Sequence, residues 1–362
     1  MANTTVATGN IHKRHLADFY REYVRMNLFS RYTGTDSNNV IVAKEENVTG
    51  RQAISIPAIG KLSGNGVSGS STLRGSGEAM KNFHFDLTPT YYRNAVEFTK
   101  EELEKPNFDM FRAARPQLLD WAMEQHRDRV ITAMESITNA GTQVTYASAT
   151  EGQKDAWLVD NVDRVLFGAA LSNDSGPGDH SAALANIDTT NDTLDTGIVS
   201  LAKRIAKTAS PGIRPIRVNE GEEYFVAFTD TYSFRDLKND TAMVSANREA
   251  MMRGRENPLF KDGDLMWDGV IIREVPELNR LLGVGNSSSN VGRFILCGAQ
   301  AIAWAIGRRP QIITDMEEDY NFQPGIAVEM KEAVGKMVVE YTSARYVDWG
   351  QVTVYTSSTA DA

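Results

Sequence analysis

Five histidines, one cysteine and one aspartate-rich stretch mark where this 362-residue chain could do chemistry. His12 and His15 stand three residues apart, so on a helix they would share a face and could hold a metal ion. The segment around them is polar, and a solvated arm is the simpler reading. His126 falls on an apolar helical stripe. It reads as a hydrogen-bonded interior histidine, able to act as a pH-sensitive packing element. His84 carries no signal of its own, and His180 follows Asp179 in a Gly-rich loop with no partner that the sequence names. Residues 172–197 hold Asp174, Asp179, Asp188, Asp192 and Asp195 among Ser, Gly and Thr. Such a stretch could bind calcium, but it lacks the D-x-[DN]-x-[DN]-G spacing of an EF-hand loop and reads as a hydrated acidic loop. The run Asp315-Met316-Glu317-Glu318-Asp319 reads as a charged turn. Cys297 lies in the apolar run Phe294-Ile295-Leu296-Cys297 and reads as a buried small hydrophobe. A lone cysteine excludes an intramolecular disulfide and a Cys-based zinc site.

No recognised catalytic arrangement joins these residues. Gly64-Asn65-Gly66 and Gly75-Ser76-Gly77 lie inside a Gly/Ser tract, not between a strand and a Lys-Ser/Thr helix start, so they do not form a phosphate-binding loop. Gly-x-Ser-x-Gly and His-Glu-x-x-His are absent from the sequence. Composition is ordinary for a globular chain: 41% hydrophobic and 23% charged residues, enough apolar surface for a sizeable core. The net charge of -9 disfavours direct nucleic-acid binding, whose affinity comes largely from Lys and Arg on phosphates. The N-terminus has no apolar stretch of signal-peptide length, and no window approaches the ~18 apolar residues of a membrane helix. The expectation is a soluble protein made in a reducing cytoplasm.

The elements that would position these residues fall in a readable order. Residues 1–50 read as an extended arm with a helix over His12 to Phe29. Its partial stripe of Leu16, Phe19, Tyr20, Tyr23 and Val24 is too small to fold alone. Residues 51–98 read as a long β-hairpin. Ala53, Ile54 and Ile56 open it, Phe83, Phe85 and Leu87 alternate on the return, and a Gly/Ser-rich tract over 60–77 lies between. Residues 99–154 carry the clearest helix, about 116–139. Pro116 stands in its first turn, and Leu119, Ala122, Met123, His126, Val130, Ala133, Met134 and Ile137 line its apolar face. Met110 to Ala114 would form a short preceding helix, and Gly141 a C-terminal stop. Residues 155–320 mix strands and helices. A helix spans Ile198 to Thr208 with Leu201 and Ile205 inward, a buried strand spans Tyr224 to Phe228, and Asp230 caps the next helix. Asp268-Gly269 is a hairpin turn, and Phe294 to Ile306 reads as strand then helix. Residues 321–362 return to β structure. The fold class is α+β.

This order of parts resembles the Hong Kong 97 fold of tailed-phage capsid proteins: arm, extended loop, spine helix of a peripheral domain, axial domain, and a late return to the peripheral sheet. Local sequences resemble the branch found in N-four-like podophages. They are Phe111-Arg112-Ala113-Ala114 running into Leu119-Asp120-Trp121; Gly263-Asp264 before Asp268-Gly269-Val270; Gly298-Ala299-Gln300-Ala301; Pro324-Gly325-Ile326-Ala327-Val328; and Asp348-Trp349-Gly350-Gln351-Val352. The similarity runs from about residue 80 onward.

The resemblance implies a major capsid protein that self-assembles into hexamers and pentamers of an icosahedral shell around double-stranded DNA, without sequence-specific DNA binding. It implies no enzyme activity, cofactor or metal. The implied partners are further copies of the chain, a separate scaffolding protein, a portal and a decoration protein. Candidate inter-subunit contacts are Lys61, Leu62, Val67, Leu73 and Arg74 on the loop, with Phe19 and Tyr23 on the arm. Some family members crosslink a Lys to an Asn. Lys61 and Lys81 flank the loop tip here, but no motif assigns an isopeptide partner, so no crosslink is expected. The competing readings are an encapsulin or another structural virion protein, and an acidic metal-dependent hydrolase built on Asp174, Asp179 and His180.

Overall fold

The computed structural model describes residues 25, 27–46, 52–62, 64–104, 109–174, 178–218, 221–251, 265–315, 322–342 and 344–358. The arm helix expected over His12 to Phe29, with Phe19 and Tyr23, lies almost wholly outside these residues. Its last part, Leu28–Tyr32, is a 3-10 turn that buries Phe29. The acidic run after Asp315 also lies outside them.

Two sheets form the body. The first has the order β1 (Thr33–Gly34), β2 (Ile41–Glu45), β14 (Ile302–Asp315), β15 (Gly325–Lys336), β5 (Thr90–Glu97). The second has the order β11 (Leu265–Trp267), β12 (Val270–Glu274), β10 (Glu223–Thr229), β13 (Val291–Cys297), β18 (Gln351–Ser357), β8 (Val165–Phe167), with β9 (Ile216–Arg217) pairing β10. Three two-stranded ribbons complete the β structure: β3 (Ile54–Ile59) with β4 (Asn82–Leu87), β6 (Ile137–Asn139) with β7 (Thr142–Val144), and β16 (Val338–Thr342) with β17 (Arg345–Asp348). The helices are α1 (Lys100–Glu104), α2 (Met110–Glu135), α3 (Glu151–Asp160), α4 (His180–Ala185), α5 (Thr196–Thr208), α6 (Thr231–Asn239) and α7 (Thr241–Met251).

The second sheet is covered on both faces, which is why Val165–Phe167 and the segments Phe225 to Phe228 and Phe294 to Cys297 read as unbroken apolar runs. Phe225, Ala227, Phe294, Leu296, Val352 and Val354 pack with Ile198, Val199 and Ala202 of α5 and with Phe234 of α6. The alternate residues Val226, Phe228, Ile295 and Cys297 pack with Phe29 and with Val130, Ile131 and Met134 of α2. The period-2 alternation of strand side chains thus joins two cores through one sheet. Cys297 is the buried hydrophobe expected, and burial pushes its thiol up to about 12.

α2 departs from its expected limits. Asp109 caps it, its carboxylate accepting from the Arg112 N–H, and the helix runs unbroken from Met110 through Pro116. The short preceding helix is therefore the first turn and a half of α2. Its 26 residues span ~39 Å at the usual rise. Leu118, not Leu119, faces inward, and Leu119 is exposed. The N-terminal half packs Ala114, Leu118 and Ala122 on Ile326, Val328 and Met330 of β15. The helix stops at Glu135 with Ser136 as C-cap. Gly141 is no helix stop: with Ala140 at φ 46° and Gly141 at φ 80° it turns the β6–β7 ribbon.

The segment Phe294 to Ile306 is strand then strand, not strand then helix. Ile302 opens β14, which pairs with β2 and β15 in the first sheet. Conversely the last strand does not return to that sheet, because β18 lies between β13 and β8 in the second. The two sheets therefore exchange strands across the boundary expected near residue 320. Two local expectations stand in the structure. The Asp268-Gly269 turn joins β11 to β12, and Asp230 caps α6 through the N–H groups of Tyr232 and Ser233.

Candidate assembly surfaces

The hairpin is paired over β3 and β4 only, because Thr90–Glu97 leaves it to pair with β15. Alternation along β3 points Ile54, Ile56 and Ala58 inward and Ser55, Pro57 and Ile59 outward. Ile54 and Ile56 join Phe85 and Leu87 against Ala303, Ala305 and Met337, and Ala58 packs with Val339 and Val347 of the β16–β17 ribbon. The base is therefore anchored to the body by a small core of its own.

The tip has no such core. Leu62 and Leu73 keep 63% and 68% of their surface, Ile59 and Met80 are similarly bare, and Lys61 and Arg74 are exposed. Val67 is half-buried. Gly66, Gly69 and Gly75 adopt positive φ, which an open Gly-rich tract allows. The structure thus places the five loop candidates on one projecting tip. Lys81 sits where the tip meets the paired strands, its carbonyl accepting from the Gly60 N–H and its ammonium 5.1 Å from the Tyr341 ring centre.

Buried ionic groups fix the frame that carries the hairpin. Glu332 on β15 accepts from His126 Nδ1 at 3.1 Å, from Arg129 at 2.7 Å and from the Trp304 indole N–H at 2.8 Å. Burial alone would raise its carboxyl. The His126 bond and charge, the Trp304 donor and Arg129 outweigh that and hold it below the ordinary range. His126 is the hydrogen-bonded interior histidine that the stripe predicted. At the C-terminal end of α2, Lys336 donates to the Ser136 carbonyl at 2.6 Å and pairs with Asp348 at 2.7 Å. Asp348 also accepts from the Trp157 N–H, and Gln351 donates to the Met134 carbonyl. Helix ends need such donors, since their last carbonyls have no intrahelical partner.

Among the described residues of the aspartate-rich stretch, four of the five aspartates hold backbone N–H groups rather than standing free in a hydrated loop. Asp179 caps α4 and Asp195 caps α5. Asp192 is buried and accepts from the Ala169 and Asp188 N–H groups and from Asn173. Asp188 turns the chain by accepting from Thr190 and Asn191. His180 is fully buried among Tyr146, Trp157, Phe167 and Tyr355. Burial, with Lys154 and Arg293 nearby, pushes its imidazole down to about 3 and keeps it neutral. Asp174 stands apart from the acidic residues with metal-ligand spacing among the described residues, which are Glu151, Asp155 and Asp179. The hydrolase triad of Asp174, Asp179 and His180 is therefore not assembled.

A two-sheet body braced by one long helix, carrying an anchored hairpin whose apolar tip its own core leaves bare, defines a shell-type subunit of the Hong Kong 97 class. Known structures of similar shape agree. The capsid chain of cyanophage Pam1 matches with a TM-score of 0.87 at 31% identity, each chain covered in full. The capsid of Ralstonia phage GP4 matches at 0.76 and 20% identity, again over the whole of both chains. A major capsid protein of Pseudomonas phage KPP25 is 26% identical over 364 residues, covering 94% of this chain and 93% of its own length. The chain belongs to the phage capsid protein family, whose model matches residues 3–360.

Proposed function

We propose that the chain is the major capsid protein of a phage head, copies of which close into an icosahedral shell of hexamers and pentamers around double-stranded DNA. In this reading the role is structural, not catalytic. The first sheet with α2 serves as the peripheral domain and the second sheet with α5 and α6 as the axial domain. The observation that carries the reading is the hairpin. An exposed apolar tip on an anchored base is a surface left for another copy, since a solvated apolar patch is a standing cost to a free subunit. Lys61, Leu62, Val67, Leu73 and Arg74 are then contacts made on a neighbour, and Phe19 and Tyr23 belong to an arm that crosses to another. Interfaces of about a thousand square ångströms or more per neighbour hold such a shell without covalent links. The net charge of -9 suits a wall past which DNA slides. A scaffolding protein, a portal and a decoration protein complete the head, which is built in the host cytoplasm.

The test is expression with and without the phage's scaffolding protein, followed by negative-stain electron microscopy. Closed shells or tubes tens of nanometres across are expected. A monodisperse small oligomer in both samples would overturn the reading.

A further inference from the structure

We propose that Asn65-Gly66 is a self-modification site: in the free subunit the Asn65 amide is lost as ammonia through a cyclic imide, leaving aspartate and isoaspartate at the hairpin tip. The reaction needs water and a backbone nitrogen free to reach the preceding side chain. The residue after the asparagine decides whether it can. Asn65-Gly66 is the only Asn-Gly pair in the sequence. Glycine puts no side chain in the way of its own nitrogen and leaves the backbone free to bend.

The fold leaves this peptide unprotected. Both residues are exposed and lie between β3 and β4, outside the strand pairing. Among the described residues neither Asn65 nor Gly66 makes a hydrogen bond. A Cβ built on Gly66 would meet nothing within 4 Å, so the space beside the reacting nitrogen is open. The tip is held one residue earlier, where the Gly64 N–H donates to Glu78 at 2.6 Å. That bond stops short of the reacting peptide. Asn286-Ser287 is the contrast. It is exposed too, but the Asn286 N–H donates to the Ile187 carbonyl, its carbonyl accepts from the Ser289 N–H, and its side-chain oxygen accepts the Ser287 hydroxyl.

The bonds balance without oxidation or reduction. Hydroxide takes the Gly66 N–H proton, and the nitrogen attacks Asn65 Cγ. The N–Cγ bond forms, the Cγ–Nδ2 bond breaks, and the amide nitrogen leaves as ammonia with a proton from water. A second water then opens the imide. Breaking the new N–Cγ bond gives aspartate. Breaking the bond from the nitrogen to the Asn65 carbonyl carbon gives isoaspartate, whose backbone runs through the side-chain carbon. Either product adds a carboxylate to a tip that presents Lys61, Leu62, Leu73 and Arg74. The consequence for assembly rests on the capsid reading. Against a neighbour the new charge would be desolvated without a partner, so subunits that age before assembly lose the tip contact.

The chemistry is read on the unassembled full-length subunit, so its failure is separate from failure of the capsid reading. Wild type and N65Q are incubated folded, and wild type also unfolded in guanidinium, in mildly alkaline buffer at physiological temperature. The glutamine keeps an amide but closes its larger ring far more slowly. Peptide mass mapping with isoaspartate detection follows each asparagine. The expected result is loss of the Asn65 amide from most folded chains at nearly the rate of the unfolded chain, with an acidic shift of the subunit that N65Q does not show. At Asn286 folding should slow the loss. Folded protein that keeps its Asn65 amide while the unfolded chain loses it would overturn the site. Aged subunits are then mixed with the scaffolding protein. Aged wild type should lose most of its particle yield and aged N65Q none, and equal yields would overturn the effect on assembly. A fresh wild type that forms no particles would count against the capsid reading, with the conversion at Asn65 already measured.

Discussion

Glu332 ties three elements together through single atoms: His126 and Arg129 of α2, Trp304 of β14, and its own strand β15. Removing the charge leaves Arg129 with a neutral partner in a nearly dry setting. Breaking buried pairs of this kind costs about 3 kcal/mol, so E332Q should lower the urea midpoint of the unassembled subunit at neutral pH. The pH dependence has a definite sign. The folded carboxyl titrates below its ordinary 4.5, so the unfolded chain takes up the proton first as pH falls. The stability contributed by Glu332 is complete above about pH 4.5 and is lost as pH falls through the depressed folded value. Denaturation of wild type and E332Q at about pH 7 and about pH 4 should therefore converge toward the acid end. Parallel losses in the two proteins would sink this account. At this scale the sequence revealed half of each contact. His126 was legible because it interrupts an apolar stripe. Glu332 was not, because its partner lies 206 residues away. The same holds for His180, whose aromatic surroundings come from four separate segments.

Elements were legible wherever a local rule sufficed. The hairpin strands, the Asp268-Gly269 turn and the Asp230 cap each rest on a few neighbouring residues. Errors arose where tertiary packing overrode the local signal. Ile302-Ala303-Trp304-Ala305-Ile306 is a short apolar run that helix and strand explain equally well, and its pairing with β2 and β15 decides for strand. Four of the five aspartates of 172–197, all but Asp174, looked solvated because a cap and a hydrated charge have the same composition. Only the N–H groups they meet tell them apart. Pro116 looked like a helix start, yet it is the seventh residue of α2. There it forfeits the bond to the Arg112 carbonyl. An interior proline costs about 3 kcal/mol, offset by about 1 kcal/mol of unfolded-chain entropy. P116A should therefore raise the stability of the free subunit by about 2 kcal/mol, read from chemical denaturation. A fall instead would mean that the ring's packing outweighs the lost bond. The hairpin gives a second prediction at this scale. Limited proteolysis should cut the 60–77 tract in the free subunit and spare it in assembled particles. Equal cleavage in both states would mean that the tract is not covered on assembly.

At the scale of the whole molecule, folding and assembly should be separable, because the two sets of residues are physically separate. The α2 frame, the Lys336–Asp348 pair and the hairpin base are buried within one chain. Leu62 and Leu73 are among the barest large apolar side chains and join none of the hydrophobic clusters. A change confined to them alters little in the isolated subunit, since surface substitutions away from packed features move stability by only about 0.5 kcal/mol. In the proposed shell the same side chains would be buried against a neighbour, where each carboxylate introduced would be desolvated without a partner. The icosahedral shell repeats that cost at every subunit, so a small penalty per contact becomes a large one for closure. The doubly substituted L62D/L73D chain should therefore keep its circular dichroism and thermal midpoint, and sediment as free subunits under conditions where wild type forms particles. Normal particles from this variant would move the assembly contact away from the hairpin tip. Loss of the folded state would instead show that the tip belongs to the subunit's own core.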